Sequence, residues 1–550
     1  MTAKPLQETA LRGVGIGNGR VAGQLHFFRR HEPKRSTSRP KGTPETEWHR
    51  IKEALRQTDA QIALLHERAL TSMGQEEAQI FEIHQMLLSD EDFLDAIQLR
   101  IDRGACAEDA LEGAVGQFTD MFENLNDAYL SARAADMRDI AAQVMRSLSG
   151  GESEIEETTS PFILVADDLT PSETVMLEKS LILGFVTFRG SSNSHTAILA
   201  RAMGIPALVS VGNIREEYNG QFALLDAADG ILTLCPTEEQ QSVFAEKQRQ
   251  DDRIAKEHDR YLRSLMNKPA VTRSGHRMLI YANIGDGDEI PAALANGADG
   301  IGLLRSEFLY LGATSYPSEE TLFRAYSDIA VRMQGKRTIV RTLDIGADKK
   351  ISYFGLPEEE NPALGFRAIR ICLAREELFK TQLRAILRAS ALGHLSLMLP
   401  MIVSVDEVRQ SKRLLEECKN ELKRENKRFD PKPELGIMIE TPAAVMMSEE
   451  LACEVDFFSV GTNDLTQYTL AADRQNPALA HLCEENQEPI LRMIQTAADA
   501  IHRAGGWIGI CGEMAADLHL TQRFADMRID ELSVSVPYLL GVRGKVTECR

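Results

Sequence analysis

Apolar residues spaced three and four positions apart run through the first quarter of the chain. They draw one stripe along a helix, made of Trp48, Ile51, Leu55, Ile62, Leu65 and Ala69. Ser89, which precedes a run of acidic residues, is typical of a helix N-cap, and Phe93, Ile97 and Ile101 continue the periodicity. Residues 33–148 are therefore predicted to form an all-helical bundle. Residues 149–160 have little to bury and are predicted to be a flexible linker.

Short strand-like runs replace the helical pattern after this linker. They are Phe162–Ala166, Gly184–Phe188, Ala207–Val211, Ala223–Leu225 and Ile231–Leu234, with a helical stretch from about Pro171 to Ser180. Leu11–Phe28 can add an N-terminal piece to the same sheet. Residues 1–32 and 149–236 are thus predicted to form one α/β domain into which the helical bundle is inserted.

The remainder of the chain begins with a long polar helix and then alternates strands and helices. Thr237 and Gln240 form a capping-box-like start, and residues 237–267 are predicted to be a mostly solvated helical linker. The strands that follow are Met278–Ile284, Gly300–Leu304, Thr338–Leu343, Leu395–Met401, Gly436–Ile439, Phe457–Val460 and Trp507–Ile510, with an ambiguous fourth strand near Phe366. This pattern predicts a (β/α)₈ TIM barrel over residues 268–550.

Composition narrows the classes of partner. The 550 residues are 43% apolar, which is enough to give several domains a core, and 62 basic against 82 acidic residues leave a formal charge of −20. This excess of negative charge argues against nucleic acid or an anionic membrane as the binding partner, and it favours a basic protein. The first residues lack an apolar stretch and the eight cysteines lack paired spacing, so we expect a soluble cytoplasmic protein with reduced thiols and without zinc.

Charged side chains gather where the barrel strands end, which is where TIM barrels place their chemistry. The second strand ends in Arg305 and Glu307, the third runs into Arg341, Asp344, Asp348 and Lys349, the sixth ends in Glu440, the seventh in Asn463 and Asp464, and the eighth in Cys511 and Glu513; Arg367 and Arg474 lie in similar stretches. Several arginines at one mouth indicate a small, highly charged anion. Glu440 and Asp464 could share one Mg²⁺. The alternative interpretation is a network of salt bridges at the barrel rim.

His195 carries the second chemical signal. A loop of small polar residues, Gly190–Ser194, leads directly into a helix, so His195 is predicted in its first turn, where free backbone N–H groups favour added negative charge. A phosphorylated imidazole would be stabilised there, although a histidine that merely caps the helix fits the same pattern. The chain has no P-loop lysine motif.

These residues fall into motifs that resemble the phosphoenolpyruvate-protein phosphotransferases of the bacterial sugar phosphotransferase system. The matching segments are Asp168–Thr174, Ser194–Thr196, Gly302–Phe308, Arg341–Gly346, Asn361–Arg367, Glu440–Ala444, Gly461–Tyr468 and Cys511–Glu513. The resemblance covers nearly the whole chain. It implies transfer of a phosphoryl group from phosphoenolpyruvate (PEP) to the protein's own histidine and then to the carrier HPr, with release of pyruvate, as the first step of sugar uptake.

The resemblance also assigns roles to individual positions. It makes His195 the phosphate acceptor with Thr174 holding its ring, and Cys511 the acid that protonates the enolate. Arg305, Arg341, Asn463, Asp464 and Arg474 would bind the substrate, Glu440 and Asp464 would bind Mg²⁺, and Arg367 and Lys349 would support the site. The family's barrel domains form homodimers, so a homodimer is expected here too.

The helical bundle resembles the family's HPr-docking domain at Phe81–Leu88. Seven acids, Glu76, Glu77, Glu82, Asp90, Glu91, Asp92 and Asp95, lie in a stretch without lysine or arginine, and such a patch would steer a basic partner. A solvated helix face is the alternative interpretation. The chain departs from the family at Ser191, Ser192 and Asn193, where a second glycine and an arginine are usual, and at Ala347, where a glycine is usual; we expect these changes to affect the rate more than the reaction.

Two other functions fit part of the pattern. A dikinase or synthase using the same barrel chemistry would need an ATP-binding domain, and the predicted domains leave no room for one. A regulatory interaction protein with a degraded active site is suggested by the altered loop before His195, but the complete set of barrel residues argues against it. The choice between a sugar-uptake and a nitrogen-linked branch stays open, with the absence of a preceding sensory domain favouring sugar.

Overall fold

The computed structural model describes most of the chain. The described residues are 9–28, 42–72, 75–124, 128–149, 160–167, 169–177, 179–189, 195–212, 214–311, 313–346, 351–357, 359–473, 479, 482–483 and 487–550. The chain divides into two compact units, Met1–Ile254 and Ala255–Arg550. Each unit is described by itself.

Five helices form a bundle in the first unit. They are α1 (Pro44–Ser72), α2 (Gln75–Leu88), α3 (Glu91–Asp102), α4 (Ala107–Asn124) and α5 (Ala128–Ser149). The predicted stripe lines its core, since Ile51, Ile62 and Ala69 are fully buried. The cap prediction was wrong by one residue: Asp90 accepts the backbone N–H of Phe93 at 2.9 Å, whereas the Ser89 hydroxyl donates back into α2. The Asp90 side chain reaches the free N–H groups of α3 because Asp90 directly precedes the helix and its backbone is extended.

The first unit also contains an eight-stranded sheet. Its strands are β1 (Thr9–Arg12), β2 (Val14–Ile16), β3 (Arg20–Phe27), β4 (Phe162–Ala166), β5 (Ile182–Thr187), β6 (Ala207–Val209), β7 (Phe222–Asp226) and β8 (Ile231–Leu234). Their spatial order is β1-β8-β7-β3-β4-β5-β6-β2. The strands β3, β4, β5 and β6 pair with one another in parallel. Because β3 pairs directly with β4, the helical bundle is an insertion into this sheet, as predicted.

Two short helices, of which the second packs on the sheet, and one long helix complete the first unit. They are α6 (Pro171–Met176), α7 (His195–Met203) and α8 (Glu238–Ser264). The predicted capping box of α8 is confirmed: the Thr237 N–H donates to the Gln240 side chain at 2.8 Å, and the Gln240 N–H donates back to the Thr237 hydroxyl at 3.3 Å. The division between the two units falls within α8. The four segment boundaries drawn from the sequence remain predictions.

A closed barrel of eight parallel strands forms the second unit, which confirms the TIM barrel. The hairpin strand β9 (Ala270–Val271) precedes β10 (Arg277–Ile284), β11 (Gly300–Arg305), β12 (Thr338–Arg341), β13 (Leu395–Leu399), β14 (Leu435–Ile439), β15 (Phe457–Val460), β16 (Trp507–Ile510) and β17 (Glu531–Ser535). Pairing of β10 with both β11 and β17 closes the cylinder. Its strands are buried on both faces, as the helix layer requires.

The prediction of a strand near Phe366 was wrong. A 3₁₀ helix over Pro362–Leu364 and a following α-helix occupy this region. The missing strand is instead Glu531–Ser535, in which acidic and hydroxyl side chains alternate with Leu532 and Val534, so the segment lacked an apolar run. Glu440 therefore follows the fifth barrel strand, Asp464 follows the sixth and Cys511 follows the seventh.

Twelve helices of the described part surround the barrel. They are α9 (Ile290–Ala295), α10 (Phe308–Leu311), α11 (Glu319–Arg332), α12 (Ile369–Ala374), α13 (Glu376–Ser390), α14 (Val405–Arg424), α15 (Pro442–Met446), α16 (Ser448–Ala452), α17 (Thr462–Leu470), α18 (Gln487–Arg503), α19 (Thr521–Asp526) and α20 (Leu539–Glu548). Within the described residues, every helix is too short or too polar to cross a bilayer.

Candidate active site

Arg341 is the last residue of β12 and projects into the mouth of the barrel. It donates to Glu307 (Nη2–Oε1, 2.6 Å) and pairs with Asp344 (Nη1–Oδ2, 2.8 Å), and only 9% of the residue is exposed. Burial opposes the charge on Arg341, but the attraction of the two carboxylates holds its pKa above the usual range. The guanidinium is thus fixed in the charged form and in one orientation.

Asp344 links Arg341 to a second arginine. Its other oxygen accepts from Arg367 (Nη2–Oδ1, 2.9 Å), and the residue is 3% exposed. The Arg367 guanidinium also lies 3.6 Å from Asp464 and donates to the Tyr468 hydroxyl at 3.3 Å. Burial opposes the charge on Arg367, yet Asp344 and Asp464 keep its pKa above the usual range. The structure therefore joins two sequence-predicted arginines through a carboxylate that the sequence had placed at the same mouth without a role.

Glu440 lies at the end of β14 and is buried. The Met401 N–H donates to Glu440 Oε1 at 2.5 Å. A Cβ on Gly461 would lie 2.9 Å from Glu440 Oε2, so glycine leaves room for the carboxyl group. Burial, together with the charges of Asp464 and Asp344, raises the pKa of Glu440 to about 8. The carboxylates at this mouth therefore carry more negative charge than Arg341 and Arg367 neutralise.

This excess of negative charge fits a divalent cation. Glu440 and Asp464 offer the hard oxygen ligands that Mg²⁺ prefers, and Mg²⁺ commonly uses one or two carboxylates with substrate oxygens and water. Among the residues that the structure describes, no group of three or more His, Cys, Asp or Glu side chains could hold a metal ion alone. A magnesium ion at this mouth would thus depend on oxygens that the substrate brings.

Asn463 and Arg305 complete the described part of the mouth. Asn463 and Glu513 form a reciprocal pair: Asn463 Nδ2 donates to Glu513 Oε1 at 2.7 Å, and the Glu513 N–H donates to Asn463 Oδ1 at 3.0 Å. Arg305 ends β11 and its side chain is exposed, so it is accessible to an anion in solvent. Asn463 is thus held in place by its hydrogen bonds to Glu513.

Cys511 directly follows β16, and its thiol lies inside the barrel. The residue is 5% exposed, and its Sγ donates to the Val460 carbonyl at 3.6 Å. Burial raises the pKa of Cys511 to about 12, and the charges of Glu531 and Glu440 act in the same direction. The thiol is therefore protonated at neutral pH, which suits a proton donor rather than a nucleophile.

His195 is the first residue of α7, as predicted, but its side chain lies outside the described residues. The next residue, Thr196, accepts the Leu169 N–H at 3.3 Å and anchors the helix start to the loop before α6. Thr174 is buried in α6, whose first turn is fixed by a capping box between Thr170 and Glu173. The contact of Thr174 with the His195 ring stays a prediction.

Several sequence-predicted positions also lie outside the described residues. They are Arg474, Asp348, Lys349, Ala347 and Gly190–Ser194. The structure adds a role for Asp344, which the sequence had named only as a strand-end carboxylate, and adds Tyr468, which had appeared only within a motif. The available signal for Asp344 was its position three residues after Arg341, at a strand end that already carried a cation.

Three family models match the chain. They describe the PEP-utilising enzymes and cover the N-terminal part (residues 12–133), the mobile domain (158–230) and the PEP-binding domain (259–550). The fold and the mouth thus define a PEP-utilising enzyme. The phosphoenolpyruvate-protein phosphotransferase of Priestia megaterium is 38% identical over 542 residues, which are 98% of this chain and 94% of that protein. The chain belongs to the phosphoenolpyruvate-protein phosphotransferase family.

Two further matches are one relative that covers nearly the whole chain and one solved structure that covers less than half of it. The phosphoenolpyruvate-protein phosphotransferase of Bacillus subtilis (strain 168) is 38% identical over 554 residues, covering 98% of this chain and 94% of that protein. A solution structure of Enzyme I (nEIt) is 30% identical and covers 44% of this chain and 99% of its own, with a TM-score of 0.39.

Proposed function

We propose that the chain transfers the phosphoryl group of PEP to its own His195 and then to a histidine of an HPr-like carrier, releasing pyruvate. Family membership supports the donor and the reaction class. The observation that carries the proposal is the pair of buried cations, Arg341 and Arg367, held by Asp344 beside the carboxylates Glu440 and Asp464. Such a mouth suits a trianionic substrate better than a neutral one.

The arginines would bind and orient the substrate. Arg341 is fixed by two carboxylates, so its remaining N–H groups are directed without a further ordering cost. Exposed Arg305 and the Asn463 amide would add contacts to the phosphate and carboxylate of PEP, with Arg474 and Lys349 as further candidates. A bound Mg²⁺ on Glu440 and Asp464 would offset negative charge that develops on the phosphoryl oxygens.

His195 would attack the phosphorus of PEP, and Cys511 would protonate the enolate that remains. His195 attacks phosphorus as the bridging bond to oxygen breaks, and the electron pair of that bond forms the enolate of pyruvate. The Cys511 thiol then donates its proton to the methylene carbon, which traps the product as the keto acid. The high pKa of Cys511 means that this proton is present when it is needed.

The carrier would dock on the helical bundle. Asp90, Asp92 and Asp95 are exposed around the start of α3, which supports attraction of a basic partner. A homodimer through the barrel and a cytoplasmic location complete the proposal. His195 must receive the phosphoryl group at the barrel and then pass it to the carrier on the bundle, so residues 149–160 and 237–265 are the proposed hinges.

Intact-protein mass after incubation with PEP and Mg²⁺ tests the proposal. We expect one acid-labile phosphoryl group on the native chain and none on His195→Ala. His258→Ala, which alters a histidine of the polar helix α8, is the matched control and should be phosphorylated like the native chain. A native chain that gains no mass, or a phosphorylated His195→Ala variant, would contradict the proposal.

A further inference from the structure

Glu531 on β17 places a carboxyl group inside the barrel, where glycines on β16 and β11 leave space without a side chain. A Cβ on Gly509 would lie 1.8 Å from Glu531 Oε2, and a Cβ on Gly302 would lie 2.2 Å from Oε1. Gly509 pairs in register with Glu531 across β16 and β17. The carboxyl group thus fills space that both glycines leave open, and neither glycine could be replaced without displacing it.

Cys511 lies directly above this carboxyl group. It follows Gly509 by two residues at the end of β16, so its side chain continues the same inward face about 7 Å further along the strand. Ser459 pairs with Gly509 from the other side, on β15, and is fully buried. Glu531 and Ser459 therefore flank the space that Gly509 leaves open, on the same inward face that Cys511 continues.

The environment of Glu531 favours its neutral form. The residue is 0% exposed, and neither carboxyl oxygen makes a well-oriented hydrogen bond to any described residue. The charged or titratable groups that face it are Arg337, Asp530, Tyr281 and Cys511. Burial raises the pKa of Glu531 to about 8, which Arg337 only partly offsets. A protonated carboxylic acid thus lies within the barrel at neutral pH.

We propose that Glu531 restores the proton of Cys511 through the hydroxyl of Ser459. The step rests on the proposed function, in which the Cys511 S–H bond breaks as its proton moves to carbon. Ser459 then gives its proton to the thiolate and takes one from Glu531, whose O–H bond breaks. The resulting Glu531 carboxylate is balanced by Arg337 until water returns a proton. Glu531 would act through Cys511 and is a positioning and proton-supplying residue.

Hydrogen exchange into pyruvate isolates this step from phosphoryl transfer. The phosphorylated full-length chain is incubated with pyruvate in D₂O across pH 6–9, and deuterium in the methyl group is followed by NMR. Exchange requires the Cys511 proton to equilibrate with solvent. We expect Glu531→Gln to slow exchange at least tenfold and to remove its pH dependence near the Glu531 pKa, while intact mass still shows the phosphoryl group. Glu531→Asp should restore part of the rate.

Two more variants separate proton supply from a structural effect. Glu434→Gln removes another carboxyl partner of Arg337 (3.0 Å) and should exchange at the native rate. Ser459→Ala should reproduce the loss even if Glu531→Gln fails to fold. Native exchange rates and pH profiles in Glu531→Gln or Ser459→Ala, or an equal loss in Glu434→Gln, would overturn the proposal. A native chain that PEP does not phosphorylate would instead refute the function on which it rests.

Discussion

Replacing Asp344 by asparagine tests whether one carboxylate organises the substrate-binding arginines. Its two oxygens meet Arg341 at 2.8 Å and Arg367 at 2.9 Å in a buried setting. Asparagine keeps the shape and one acceptor oxygen, but it turns an N–H₂ group towards the other guanidinium. One arginine then faces a donor, and both lose the opposite charge that holds them.

The structure allows the size of this effect to be worked out. A hydrogen bond between charged groups contributes about 1.5–3 kcal/mol, and loss of one partner from a buried ion pair costs about 3–5 kcal/mol. Since one oxygen remains, we expect Asp344→Asn to lower the free energy of unfolding of the barrel by about 3 kcal/mol. Misplacing a binding arginine by about 1 Å can cost 10²-fold in rate, so kcat/KM for PEP should fall roughly 100-fold, mainly through KM.

Glu319 provides a matched control. It also bridges two arginines, Arg384 (Nε–Oε2, 2.6 Å) and Arg388 (Nη1–Oε1, 2.7 Å), but among the helices outside the barrel and with 21% of its side chain exposed. Glu319→Gln should cost about 1 kcal/mol and leave KM unchanged. Urea unfolding and steady-state pyruvate release measure both quantities. An unchanged KM in Asp344→Asn, or an equal rise in Glu319→Gln, would refute the reasoning.

Two further predictions concern stability. Gly509→Ala drives a Cβ to 1.8 Å from Glu531 and should cost at least about 2 kcal/mol in urea unfolding, whereas Gly541→Ala, with open space around its Cβ, should be neutral or stabilising by up to about 1 kcal/mol. Burial alone would raise the pKa of Glu47, but hydrogen bonds from the Ala107 N–H and a guanidinium lower it. The folded pKa lies below the unfolded one, so this stabilisation is present at neutral pH and is lost as pH falls through the folded value. Glu47→Gln should flatten the loss of bundle stability below pH 5; a native pH slope would contradict this.

Elements with a single strong period could be predicted from the sequence. The stripe from Trp48 to Ala69 became α1, and the apolar strand runs became barrel strands with little change in their bounds. The eighth barrel strand was missed because its inward positions carry Glu531 and Ser533. A buried strand can be recognised in a sequence only when its inward side chains are apolar, and this strand faces a polar interior.

The site was predictable as a set of residues and not as a set of contacts. Strand ends of a parallel barrel meet at one mouth, so Arg341, Glu440 and Cys511 could be grouped before any distance was known. The bond of Asp344 to Arg367 depends on a loop crossing between barrel strands, which local sequence does not encode. Likewise, the placement of Glu531 and Ser459 on either side of Gly509 depends on strand register around the barrel.

The insertion of the bundle between β3 and β4 dictates an order of events during synthesis. β3 emerges from the ribosome long before its parallel neighbour β4, and β1 waits for β8, the last strand of the sheet. At 5–20 residues per second the delay between β3 and β4 is on the order of ten seconds. The helices between them form mostly local contacts and fold in far less time. The bundle is therefore complete while three strands of the sheet still lack their partners, and it must hold its shape on its own core.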